Sequence, residues 1–188
     1  MDTVHYSVMA DEVLEYLAPK TENALCIDCT LGEGGHSEQL LAAYPTLRVV
    51  GIDADEHILE KAKKRLAPYG DRFRAYHSWF NVFFREYPLG GEQPDSILFD
   101  LGISLYHYEE ARRGFTFRKD EPLDMRLNED LEISAGDIVN TYPAAELEEI
   151  IRKYGEERYA RSIVRAIVRE RESAPIESTA RLADIIRA

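Results

Sequence analysis

The chain has 188 residues, 45% of them hydrophobic and 31% charged, with 23 basic against 35 acidic side chains and a formal net charge of −12. That is enough for one globular domain, or one core with a small satellite, and too apolar for a disordered chain. An acidic balance of this size argues against non-specific coating of nucleic acid.

No run approaches the roughly 18 uninterrupted apolar residues of a membrane helix. The start, Met1-Asp2-Thr3-Val4-His5, lacks the basic-then-apolar pattern of a secretory signal. The two cysteines, Cys26 and Cys29, are too few for a disulfide framework or a structural zinc site. The expectation is a reduced, cytoplasmic protein without membrane or metal.

Residues 1 to 100 alternate strands with helices. Short apolar runs at 24–29 (Ala24-Leu25-Cys26-Ile27-Asp28-Cys29), 48–53, 72–77 and 96–100 predict four strands. All but the third read as buried parallel strands. Helical patterns near 35–43, 54–67 and 79–86 lie between them, which implies a doubly wound α/β sheet. After residue 100 the chain is rich in turns and charges to about 130. Only helical periodicity follows, near 133–140, 144–153, 156–172 and 178–187. The boundary falls near 101–110, giving an α/β part over 1–105 and a helical part over 106–188.

Three strands end in an acid: Asp28, Asp53 and Asp100. Ligands of open α/β sheets bind at the carboxyl ends of strands, so three carboxylates there form a constellation. For Asp53 alone, capping of the following helix is an equal reading. The loop after the first strand, Thr30-Leu31-Gly32-Glu33-Gly34-Gly35-His36-Ser37, carries three glycines and opens a helix. Its spacing is not the dinucleotide Gly-x-Gly-x-x-Gly, and Glu33 would repel a pyrophosphate. A ligand with cationic groups and no phosphate, such as S-adenosylmethionine, suits it better. Asp53, about 20 residues beyond, stands where an acid grips ribose hydroxyls. Phe80 follows the third strand, where an aromatic packs either on an adenine ring or in the core. Cys26 and Cys29 have a Cys-x-x-Cys spacing, but on a strand they read as buried thiols.

These residues and others give a family resemblance. They include His5-Tyr6-Ser7-Val8-Met9, Asp28-Cys29-Thr30-Leu31-Gly32-Glu33-Gly34-Gly35-His36-Ser37, Asp100-Leu101-Gly102-Ile103-Ser104, Arg113-Gly114-Phe115-Thr116-Phe117, Pro122-Leu123-Asp124-Met125-Arg126-Leu127 and Tyr154-Gly155-Glu156-Glu157. Together they resemble the ribosomal small-subunit RNA (cytosine-N4) methyltransferase H family, also called MraW, almost end to end. The resemblance implies a class I, Rossmann-like methyltransferase sheet with an all-helical inserted subdomain for substrate recognition. It implies S-adenosylmethionine as cofactor, 16S rRNA in the small ribosomal subunit as partner, and the N4 of a decoding-region cytosine as target. The cofactor positions it implies are Gly34, Gly35, His36, Asp53, Phe80, Asp100 and His107, the last replacing a usual Gln.

Family members run on well past this length. Four strands in the order 3-2-1-4 leave the fourth as an unpaired apolar edge. The expectation is therefore a piece of a longer, active protein, with two alternatives. One is a sheet completed by self-association, as a homodimer. The other is a non-catalytic module that binds S-adenosylmethionine or RNA.

Asp100 is a candidate catalytic group, since an acceptor beside the target amine would localise its lone pair; its other reading is cofactor contact alone. Arg112-Arg113-Gly114-Phe115-Thr116-Phe117-Arg118-Lys119 mixes cations with aromatics, so Arg113 and Phe115 are expected to contact substrate, unless the segment is a structural plug. Asp124 and Arg126 are read as a pair that shapes this loop. Arg158, Arg161, Arg165 and Arg169 share a helical face, and residues 152–171 hold seven basic and three acidic side chains. Arg161 and Arg165 are read as contacts to an RNA backbone, against the alternative of an ordinary solvated face.

Overall fold

The computed structural model describes residues 7–188. The chain forms two compact units, Met1–Leu105 (described from Ser7) and Tyr106–Ala188.

In the first unit, β1 (Leu25–Asp28), β2 (Arg48–Asp53), β3 (Phe73–His77) and β4 (Ser96–Leu98) form one sheet in the order β3-β2-β1-β4. Every pairing is parallel, with Ile27 opposite Val50 and Ile97, and Val50 opposite Arg74. The order matches the expectation, and strands three and four are shorter than their apolar runs.

Side-chain alternation splits the central strands between two cores. Cys26 and Val49 face Leu40 and Leu41 of α2 (Gly35–Ala43) and Leu59, Ala62 and Leu66 of α3 (Glu56–Leu66). Leu25, Ile27, Val50 and Ile52 face Phe83 of α4 (Phe80–Glu86) on the opposite side. Burial on both faces is why β1 and β2 read as continuous apolar runs. α1 (Ala10–Tyr16), which the hydrophobic pattern did not predict, packs Val13 and Leu14 against the first core. β3 and β4 are the edge strands, and Ile97, Phe99 and Leu101 at and beyond β4 are 42%, 46% and 74% exposed.

The second unit begins within α5 (Leu105–Glu109), also unpredicted, and runs on into a long loop. It continues with α6 (Ala135–Thr141), α7 (Ala144–Gly155), α8 (Ala160–Arg171) and α9 (Thr179–Arg187). Ser134 and Asp137 make a reciprocal capping box that starts α6. Leu123, Val139, Leu147, Val164, Ile167, Ile176 and Ile185 form the core of this unit. α8 begins four residues later than its periodicity suggests. Glu156 adopts a left-handed conformation that ends α7, and Glu157 bonds forward to the Tyr159 backbone N–H at 2.7 Å.

No helix among the described residues is long and apolar enough to cross a membrane.

Candidate cofactor site and recognition unit

The loop between β1 and α2 is pinned on three sides. The Leu31 N–H donates to the Ile52 carbonyl at 3.0 Å, tying the loop to β2. Asp53 accepts the Gly32 N–H through Oδ2 at 2.8 Å and the Asp55 N–H through Oδ1 at 2.9 Å. The Asp100 N–H donates to Thr30 Oγ1 at 2.7 Å. The loop is thereby held over the carboxyl ends of β1 and β2, beside the residues that follow β4.

Asp53 does not cap the following helix. Asp55 does, accepting the His57 N–H at 2.9 Å at the N-terminus of α3. That leaves the half-buried Asp53 carboxylate as the tie between the glycine loop and β2.

Asp28 is the deepest of the three acids. It is fully buried, accepting the Ser37 hydroxyl at 2.8 Å and the Thr30 N–H at 3.3 Å. Burial pushes its carboxyl up to about 6; the two hydrogen bonds oppose this, and the charges of Asp53 and Asp100 add to it. Asp100 is the open member, its side chain 49% exposed, with Oδ2 3.8 Å from His36 Nε2. His36 itself is buried in the first turn of α2.

The glycines have reasons internal to the protein. Gly34 has φ +82°, and a Cβ there would stand 2.9 Å from Leu66 Cδ1. A Cβ on Gly35 would collide with Ser7 Oγ. Both residues set the tight turn that brings the loop's backbone to the sheet edge. Glu33 is paired with Lys61 at 3.6 Å, which tempers the repulsion expected of it. Phe80 packs edge-on against Phe99 with ring centroids 5.3 Å apart and borders the second core. Both thiols are buried; desolvation, first of several causes, pushes Cys26 up to about 11 and Cys29 up to about 12. Among the described residues, no cluster of His, Cys, Asp and Glu could hold a metal ion.

In the second unit, Arg113 is not a free cation on a loop. It is 7% exposed and donates to the Arg126 and Leu127 carbonyls at 3.0 and 3.2 Å, with Glu129 3.6 Å away. Its guanidinium also lies over the Phe115 ring, 5.8 Å from the centroid. Phe115 is half-buried against the ring of His107 at 5.1 Å, and His107 is itself buried beside Tyr106. Arg113 and Phe115 thus pack within the loop, Arg113 on backbone carbonyls and Phe115 on the ring of His107.

Asp124 and Arg126 form the expected pair, bidentate at 2.8 and 2.7 Å. That hydrogen bond is the first reason the Asp124 carboxyl sits below its ordinary range. Arg126 also donates to the Glu129 and Leu131 carbonyls, so one side chain closes the loop 124–131.

Sequence reasoning passed over Glu121 and Thr179. Both are buried; Glu121 accepts the Gly114 N–H at 3.0 Å, and Thr179 links to the Glu121 backbone in both directions. Pro122 and Ser178 bridge beside them. Their signal was an acid and a hydroxyl 58 residues apart, which no local pattern connects.

Arg161 and Arg165 are exposed one turn apart on α8, and no carboxylate is paired with either among the described residues. Arg169, expected on the same face, pairs instead with Glu170 at 3.1 Å. Arg158 precedes the helix and lies over the Tyr159 ring at 4.9 Å.

The parallel 3-2-1-4 sheet, with a glycine loop after β1 and an acid closing β2, defines a Rossmann-like fold of the class I methyltransferase type. The MraW methylase family matches residues 2–188, and the chain belongs to that family. It is 50% identical to the ribosomal RNA small subunit methyltransferase H of Treponema denticola, over 99% of this chain and 59% of that one. It is 48% identical to the protein of the same name from Thermobifida fusca, over 97% and 56% of the two chains. For Carboxydothermus hydrogenoformans the identity is 47%, over 100% and 60%. The chain therefore spans somewhat under two thirds of the length of these relatives.

Proposed function

We propose that this chain carries the S-adenosylmethionine site and the substrate-recognising helices of a methyltransferase acting on 16S rRNA in the small ribosomal subunit, at the N4 of a decoding-region cytosine. The observation that carries the cofactor reading is the glycine loop held between Asp53 and the Thr30–Asp100 contact, at an edge bearing three carboxylates. Residues 29–36 contain no Lys or Arg. A phosphate would meet carboxylates there, whereas a sulfonium and an ammonium are attracted by them. The names of the relatives support the RNA substrate. A cytoplasmic location goes with that substrate.

When bound, S-adenosylmethionine supplies an electrophilic methyl group on a positively charged sulfur. The chain's own residues position and polarise. Asp53 fixes the loop backbone and stands at the end of β2, where an acid grips ribose hydroxyls. Gly34, Gly35 and His36 shape the turn beside it, and Phe80 stands by the same edge with Phe99. Asp100 presents a half-exposed carboxylate whose oxygen accepts an N–H of the exocyclic amine, localising on N4 the lone pair otherwise shared with the ring. In the helical unit, Arg161 and Arg165 offer charge to the RNA backbone.

A second reading is favoured by the exposed edge at β4, where Ile97, Phe99 and Leu101 face solvent. These 188 residues then bind S-adenosylmethionine or RNA without turnover. Calorimetric titration of S-adenosylmethionine into the chain, with Asp53→Ala as control, tests the site. Saturable binding that the variant loses supports it, and absence of binding by folded protein overturns it. Transfer of labelled methyl to small-subunit rRNA then separates the two readings.

A further inference from the structure

Two exposed tyrosines bracket the turn from α7 to α8. Tyr154, 75% exposed, is the penultimate residue of α7, and Tyr159, 59% exposed, directly precedes α8. Five residues of chain hold their Cα atoms within about 18 Å of each other. Each ring carries a cation on one face: Lys153 Nζ is 5.3 Å from the Tyr154 centroid, and the Arg158 guanidinium is 4.9 Å from that of Tyr159. A ring has two faces, so one face of each remains for another planar group. The cation also makes the assembly attractive to an anion. Arg161 and Arg165 continue from Tyr159 along α8. Of the two acids in the turn, Glu157 is turned onto the Tyr159 N–H and only Glu156 stands fully exposed.

Two large aromatic rings left in water beside unpaired arginines are not explained by packing, because the core of this unit is built from Leu147, Val164 and Ile167 on the inward faces of the same helices. Aromatic rings interleaved with cations are the device by which proteins hold single-stranded nucleic acid: bases stack on the rings and phosphates meet the cations. A helical duplex has no free base faces to offer. We propose that the α7–α8 turn is a stacking site for two unpaired bases of an RNA strand, with Tyr154 and Tyr159 as the platforms and Arg161 and Arg165 on the adjoining phosphates. The site rests on the RNA reading above and specifies its partner as an unpaired segment.

The test uses the 188-residue chain and a fluorescent ten-nucleotide oligocytidine, followed by anisotropy. A ribose-phosphate oligomer of the same length without bases serves as the second ligand. The expected result is that Tyr154→Ala with Tyr159→Ala weakens oligocytidine binding at least about tenfold, leaves binding of the abasic oligomer unchanged, and leaves the melting temperature in place. Tyr154→Phe with Tyr159→Phe keeps the affinity. In a separate variant, Tyr159→Trp, oligocytidine quenches the added indole emission and the abasic oligomer does not. If the parent binds oligocytidine and the double Ala variant binds it equally, the stacking site is wrong while the RNA reading stands. An equal loss on both ligands overturns it too, because the rings then act without bases. Failure of the parent to bind either ligand removes both readings together.

Discussion

The hydroxyl of Thr30 accepts the backbone N–H of Asp100 across 70 residues of chain, at 2.7 Å. This one bond joins the glycine loop to the end of β4 and fixes where the Asp100 carboxylate begins, while leaving the carboxylate itself half exposed. Backbone placement and side-chain chemistry are thus separable at this residue. Asp100→Asn keeps the N–H and changes only the carboxylate. The expected outcome is a fall in methyl transfer of at least about a hundredfold with a much smaller change in S-adenosylmethionine affinity, read by single-turnover kinetics beside calorimetry. Equal losses in both would reduce Asp100 to a cofactor contact.

Asp28 gives a prediction in pH. Its folded carboxyl titrates near 6, above the ordinary 3.8, so between those values the folded state holds a proton that the unfolded state has lost. Stability from this group is complete below about pH 4 and is lost as pH rises through about 6. The loss amounts to roughly 3 kcal/mol at 1.36 kcal/mol for each pKa unit. Asp28→Asn removes the buried charge, and Ser37, able to donate or accept, turns to suit the amide. Urea unfolding across pH 4 to 8 is expected to show the variant gaining on the parent as pH rises from 4 to 6, with a constant gap above. A gap independent of pH would mean that Asp28 stays ionised throughout.

Gly114 sits at φ +81°, and a Cβ there would collide with the Pro122 carbonyl oxygen. Its N–H meets buried Glu121, so the backbone has no room to move away. Gly114→Ala is expected to destabilise the second unit by about 2 kcal/mol or more. Hydrogen exchange localised to residues 113–126 and to the start of α9 reads this directly, with the first unit unchanged.

The β4 edge predicts association. Ile97 lies on an edge strand and is 42% exposed, with Phe99 and Leu101 beside it. Sedimentation of the 188-residue chain is expected to show weight rising with concentration, as a homodimer forms. Ile97→Lys should return it to monomer by placing a charge on the edge. A parent that stays monomeric at high concentration would show that the edge is tolerated in solution.

The buried thiols predict silence. Cys26 and Cys29 titrate near 11 and 12, far from thiolate formation at neutral pH. A thiol reagent at pH 8 should label neither in the folded chain and both in urea. Rapid labelling of native protein would contradict their burial.

What the sequence disclosed depended on the range of the interaction. β1 and β2 were legible because burial on both faces writes itself as an apolar run; alternation with helices implied the doubly wound sheet, and its 3-2-1-4 order came from the family resemblance. α1 was missed because its seven residues bury none of their side chains fully. The two readings of Asp53 could not be separated in the sequence, since Asp53 and Asp55 are the same chemistry and only the hydrogen bonds show that Asp55 caps α3 while Asp53 ties the loop. Arg113 was ambiguous for a related reason. A cation among aromatics reads the same whether it faces solvent or, as here, the carbonyls of Arg126 and Leu127.

The links from Glu121 and Pro122 to residues 177–179 also order events in time. A chain emerging from the ribosome has made the loop at 113–126 long before it has made Thr179, whose N–H and hydroxyl meet the Glu121 backbone. Until then Leu123 has no Glu177 carbonyl to bond, and α6 has no Ile176 to close against Asn140. The loop at 113–126 and α6 therefore complete their bonding only after residues 176–179 have been made, while the β1–α2–β2 half of the sheet can assemble from neighbours already synthesised.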